Sequence, residues 1–146
     1  MIFKEATENF NPKFEVVGCF VENNGAILLL HRQDHKPEGG TWGVPAGKVD
    51  DGEEVSEAMA RELQEETGIV LPSSELAYFT PVFARYDEYD FIFHIFHTTL
   101  DERECVCVQD SEHKEFRWVS PRHALEIPLI HDLGACIKLY YAQRAL

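Results

Sequence analysis

Residues 47–69 read GKVDDGEEVSEAMARELQEETGI, and this stretch organises everything around it. A tight loop at Asp50-Asp51-Gly52 leads to Glu53 and Glu54, an acidic cluster suited to the first turn of a helix, where the dipole is positive. Good helix formers then run to Thr67, and Gly68 is a natural C-terminal stop. Setting residues about 100° apart puts Val55, Met59 and Leu63 on one apolar stripe, with Ala58 at its margin. Glu62 and Glu66 fall in the same sector and Glu65 just beyond it. A purely structural helix keeps its acids on the other face. Carboxylates gathered on a buried face repel one another, and a divalent cation relieves that cost. Oxygen-only ligands suit Mg2+ or Mn2+ better than Zn2+. On spacing alone, a solvated acidic surface helix stays an equal alternative.

Working outward, the same residues resemble a family signature. Gly47, Glu53, Arg61-Glu62-Leu63, Glu65-Glu66, Gly68 and Ile69 match every fixed position of the Nudix box, G-x5-E-x7-R-E-U-x-E-E-x-G-U, where U is a bulky aliphatic residue. The lead-in, Thr41 to Gly47 (TWGVPAG), is similar to the family's, with Ala46 where glycine is commoner. The resemblance implies an α/β/α sandwich around a mixed sheet, and hydrolysis of a nucleoside diphosphate linked to another moiety. It implies Glu62, Glu65 and Glu66 as metal ligands and catalytic acids, joined by the Gly47 carbonyl. Mg2+ is the expected cofactor, with Mn2+ as substitute. Glu53 and Arg61 are expected to pair and brace the loop. One further acid is expected on a loop facing the helix: Glu112, in the Glu-His pair before Phe116 and Trp118, is favoured over Glu115.

Composition bounds this reading. At 146 residues and 45% hydrophobic content the chain is expected to be a single domain, residues 1–146, with a real core. A net charge of −13 argues against long nucleic acid and against a basic membrane-surface contact, while a metal-masked small nucleotide stays compatible. The start lacks the apolar stretch of a signal peptide, and no run approaches the ~18 apolar residues of a membrane span. Cys19, Cys105, Cys107 and Cys136 lack zinc-type spacing. The expectation is a reduced, cytoplasmic protein; a homodimer is left open.

Along the chain, residues 1–12 read as a lead-in or edge strand. Phe14–Val21 and Ala26–His31 read as a hairpin about Asn23-Asn24-Gly25. Arg32, just after it, and Lys48 are candidate phosphate contacts, each with a solvated surface role as the alternative. Glu75–Tyr86 carries Pro81 and suits an edge or broken strand. Tyr89–Leu100 is apolar on both faces, as in a central strand, with His94 expected as a hydrogen-bonded core residue. Glu104–Val108 is expected as a short strand burying Cys105 and Cys107 on one face. Phe116–Val119 follows as a strand, Ser120-Pro121 starts a helix, and 128–145 is expected as the last helix. Tyr86, Tyr89, Phe79 and Trp118 are candidates to stack on a base. A nucleoside triphosphate releasing pyrophosphate is the leading substrate. A nucleoside diphosphate sugar, a dinucleoside polyphosphate, an oxidised nucleotide and a non-catalytic sensor domain are the alternatives. The chain's end at Leu146, just past the last helix, and its intact set of glutamates favour an enzyme over a sensor.

Overall fold

In a computed structural model that describes residues 1–142, the Asn-Gly signal makes a tight hairpin. Strands β2 (Pro12–Asn23) and β3 (Ala26–Arg32) meet through Asn24 and Gly25, at φ 49° and 78°. This is the positive-φ pair that a two-residue turn of the strands' own twist requires. The two strands pair only at their tips, Glu22 with Ile27 and Asn23 with Ala26, and then diverge. One edge of β2 runs parallel to β7 (Asp90–Thr99); its other edge takes β5 (Ala46–Lys48) antiparallel. β3 takes β4 (Trp42–Gly43) and β8 (His113–Val119). Beyond β7 lie β6 (Ala77–Arg85) and the two-residue edge strand β1 (Ile2–Phe3).

Alternation along the strands sends side chains to two opposite cores. Val17, Cys19, Val21, Leu28 and Leu30 meet Ala58, Met59 and Leu63 of helix α1 (Val55–Thr67). Phe20, Ile27, Leu29 and Ile95 meet Cys136, Ile137 and Tyr140 of helix α3 (Leu133–Tyr141). The result is the expected α/β/α sandwich around a mixed sheet. β7 is central, and His94 is the expected core histidine, its ring nitrogens within 2.8 Å of Tyr78 Oη and 2.7 Å of Glu15 Oε1. Pro81 sits in β6 near the sheet edge, beside a register shift between Tyr78 and Thr80. Ser120 accepts a hydrogen bond from His123 N to start the short helix α2 (Pro121–Ala124). Among the described residues no helix is long and apolar enough to cross a membrane.

Three local expectations fail. Glu104–Val108 finds no sheet edge and stays a loop crossing the end of α1, where Cys107 N donates to Thr67 O at 2.9 Å. Val106 turns inward there and Val108 packs partly against the same core, while Cys105 and Cys107 are exposed free thiols. The last helix begins at Leu133, because residues 128–130 are drawn alongside Trp42: Trp42 N donates to Pro128 O and Ile130 N to Trp42 O. Residues 143–145 of that expected helix lie outside the described residues. Glu53 and Glu54, the acids expected in the first turn, both precede α1, Glu54 as its N-cap residue; the acid in that turn is Glu57, which was not foreseen.

Candidate active site

Helix α1 ends where its chemistry is densest. Gly68 turns left-handed at φ 78° and returns its N–H to Gln64 O, fixing the last turn. Glu66 in that turn is buried, 7% exposed, and its Oε1 accepts a hydrogen bond from Ala46 N at 2.8 Å. Burial pushes its carboxyl up to about 9; the Ala46 N–H opposes the rise, and the nearby Glu62 and Glu112 charges add to it. Glu62 is also raised by burial, against the pull of Arg61. Glu65 lies outward, 53% exposed.

The loop is laid directly on this helix. Gly47 pairs with Val17 in β2, and a Cβ built on it would stand 2.1 Å from Glu62 Cδ. No larger residue fits without moving that carboxylate. Arg61 joins loop to helix. Its Nε donates to Glu53 Oε2 at 2.8 Å, Nη2 to Glu53 Oε1 and Lys48 O at 3.0 Å each, and Nη1 to Glu62 Oε1 at 2.8 Å and Glu65 Oε2 at 3.2 Å. A planar fork with five donors suits this role as a lysine could not. The Arg61 guanidinium holds Glu53 below the usual carboxylate range.

Opposite the helix, Gln33 fastens the loop before β8: its N donates to Glu112 O and its side chain to Asp110 O, both at 2.9 Å. One donor atom each from Glu66, Glu112 and His113 lie within 4.8 Å of one another, a group that could hold a metal ion. Glu115 is not in this group. It pairs in register with His31, whose Nδ1 is 3.8 Å from its carboxylate. His113 was not foreseen; the signal available was its place beside Glu112 at the start of a strand.

A cleft of about 440 Å³ reaches this cluster. Glu66 and His113 line it together with Arg32 and Lys48, and its walls include Phe14, Tyr86, Tyr89, Phe91 and Phe93. Phe14 and Phe91 stack at 5.3 Å, and Lys48 Nζ lies 4.3 Å above the Phe14 ring. Arg32 Nε donates to Pro37 O at 2.9 Å. Tyr86 and Tyr89 thus stand where a base could stack. Phe79 and Trp118 do not line the cleft: Phe79 packs on Tyr140, and Trp118 lies beneath Arg103. Both sit on strands whose alternation turns them to other surroundings.

The donor set fits a hard divalent cation, because buried carboxylates in one place resist ionising together unless a cation is present. This has a measurable consequence. Glu66 titrates near 4.5 when unfolded and near 9 when folded. Its contribution to stability is complete below 4.5 and is lost as pH rises toward 9. The melting temperature of metal-free protein is therefore expected to fall across that window. The stabilisation given by added Mg2+ should grow across it. A metal-free melting temperature that is flat or rising there, relative to Glu66→Gln, would contradict this account.

The NUDIX domain family model matches residues 12–140. A CTP pyrophosphohydrolase of Escherichia coli is 34% identical over 140 residues, covering 90% of this chain and 93% of that one. The nucleoside triphosphatase NudI of Salmonella paratyphi B is 30% identical over 141 residues, covering 90% and 96%. Among solved structures, a MutT NUDIX hydrolase from Burkholderia pseudomallei superposes with a TM-score of 0.71 at 27% identity, covering 86% of this chain and 95% of that one.

Proposed function

The chain belongs to the Nudix family and is a pyrophosphohydrolase, and from that premise we propose that its substrate is a nucleoside triphosphate, cleaved to a monophosphate and pyrophosphate with Mg2+ as the natural ion. The observation that carries the reading is the continuity of the aromatic cleft with the carboxylate cluster through Glu66 and His113. A base stacked near Tyr86 and Tyr89 leaves its phosphates to run toward Arg32, Lys48 and the acids. The names of the two curated relatives favour a triphosphate over a sugar-linked or dinucleoside substrate.

Nudix hydrolases use divalent metal ions; a bound ion masks phosphate charge and lowers the pKa of a coordinated water. Glu62, Glu65, Glu66, Glu112 and the Gly47 carbonyl are the groups we assign to hold it. Glu66 is held ready by the Ala46 N–H, whereas Glu65, tied to Arg61 and outward-facing, is the most accessible to solvent. Arg61 and Glu53 act as positioning residues, keeping loop and helix in one geometry. To Glu112, on the opposing loop, we also assign the proton taken from the attacking water, and to Arg32 and Lys48 the phosphate charge.

The test of substrate is a panel of nucleoside triphosphates, nucleoside diphosphate sugars and dinucleoside polyphosphates, read by phosphate and pyrophosphate release. Preference for any sugar-linked or dinucleoside compound over every triphosphate would overturn the proposal. For the base, Glu112→Gln is expected to lower kcat by about 100-fold or more, as loss of general-base catalysis does. Glu115→Gln should stay within about twofold, since its carboxylate faces His31 on the surface. Equal losses, or a larger loss at Glu115, would refute the assignment of Glu112.

A further inference from the structure

We propose that His113 is a nitrogen ligand of the metal centre, making the position it shares with Glu66 and Glu112 a mixed nitrogen–oxygen site that holds Mn2+ more tightly than Mg2+. The proposal rests on the reading of the carboxylate cluster given above. Three observations carry it. A ring nitrogen of His113 lies within 4.8 Å of carboxylate oxygens of both Glu66 and Glu112, a spacing that one ion can bridge. The side chain is 4% exposed, and its buried Nδ1 has no hydrogen-bond partner among the described residues. Buried polar atoms are rarely left so, because each costs its full desolvation. The backbone also aims the ring: the β3–β8 ladder shifts register between His31 and Arg32, where Arg32 comes to oppose His113, and His113 N is tied to Gln109 O at 2.8 Å. A bulge at the rim of a sheet is a device for redirecting a side chain.

The donor chemistry sets the preference. Mg2+ takes oxygen ligands in strict octahedral geometry, whereas imidazole strengthens binding along the first-row series that begins with Mn2+. A histidine serving only to steady Glu112 by a hydrogen bond would give no such discrimination.

The experiment loads the purified full-length protein with Mn2+ and looks for nitrogen coupling by pulsed EPR. In parallel, Mn2+ and Mg2+ dissociation constants are measured for wild type and His113→Gln. Nitrogen coupling is expected in the wild type and should vanish in the variant. The Mn2+ dissociation constant should rise by about tenfold or more, and that for Mg2+ by clearly less. Bound Mn2+ without nitrogen coupling would overturn the proposal, as would equal weakening of both ions. Should His113→Gln fail to fold, wild-type protein carrying 15N-histidine decides alone: the coupling must change isotope, or the proposal falls. Failure of Mn2+ to bind at all would strike the metal reading of the cluster itself, a result distinguishable from an all-oxygen site.

Discussion

Glu66→Gln is expected to lower turnover by about 100-fold or more while raising the melting temperature of the metal-free protein near pH 8. The two effects have one cause. Glu66 is the carboxylate that α1 and β5 enclose, and burial, with the nearby Glu62 and Glu112 charges, pushes it up to about 9. Glutamine has the same shape, carries no charge and can still accept the hydrogen bond from Ala46 N. It resembles the protonated acid that the metal-free fold prefers, so a strain present in the wild type at alkaline pH disappears. What it lacks is the anionic oxygen that holds a cation against competing water. Stability and activity move in opposite directions, which an ordinary packing defect does not produce. The check is kcat beside thermal denaturation, each with Mg2+ and with chelator. A variant that keeps activity within a few-fold, or that melts below metal-free wild type at pH 8, would falsify the role given to Glu66.

Gly47→Ala is expected to cost about 1–3 kcal/mol of stability, the usual scale for overpacking, and to lower turnover by at least as much as Glu66→Gln. The added methyl would lie 2.1 Å from Glu62 Cδ and within 2.4 Å of both its oxygens. Either the carboxylate swings away, losing the 2.8 Å contact with Arg61 Nη1, or β5 lifts from β2. Both routes disturb the loop that we propose holds the metal. Gly52→Ala is the informative control. Gly52 has φ 77° with open space around it, so alanine there strains the backbone by about 1 kcal/mol and touches nothing. Denaturant unfolding and kcat should therefore separate the two: similar losses of stability, with activity lost only at Gly47. Matching activity for the two variants would show that the close approach of Gly47 to Glu62 is not functional.

What could be read from the sequence was what local pattern governs. The 3.6-residue stripe of α1, the glycine that stops it, the Asn-Gly hairpin and the two-faced apolar β7 are each encoded within a dozen residues, and the structure repeats them. Helical spacing set Glu62 and Glu66 in the buried sector of α1, whereas the role proposed for them, and the choice of Glu112 on its loop, came from the resemblance to the Nudix box. Glu53 was placed too far into the helix by about two residues: it pairs with Arg61 as expected, but from the loop, where it is also tied to Asp50. Glu104–Val108 alternates like a strand, yet whether a sheet edge is available to it depends on the whole fold. The same holds for Pro128–Ile130, claimed by Trp42 before α3 can include them. His113 stayed hidden because its significance lies in a bulge across two strands. Tyr86 and Tyr89 could not be told from Phe79 and Trp118 until the fold set the first two in the β6–β7 turn at the cleft and the other two on strands facing elsewhere.

The parallel β2–β7 ladder also dictates when the site can come into being. Glu15 and His94, hydrogen-bonded across it, are 79 residues apart in the chain. Closing so long a loop is costly and slow, and it must be met before the contacts it permits can repay it. A growing chain that has just released the box helix from the ribosome has Glu62, Glu65 and Glu66 in hand but no floor beneath them. β2 still lacks its longest neighbour, and Glu112 has not been made. The hairpin and the helix are thus local events that can come early, whereas β7 and then β8 must arrive before loop, helix and opposing acid face one another. Assembly of the candidate site is a late, whole-chain step, and a chain arrested before Asp90 presents the bare edge of β2 to other unfinished copies of itself.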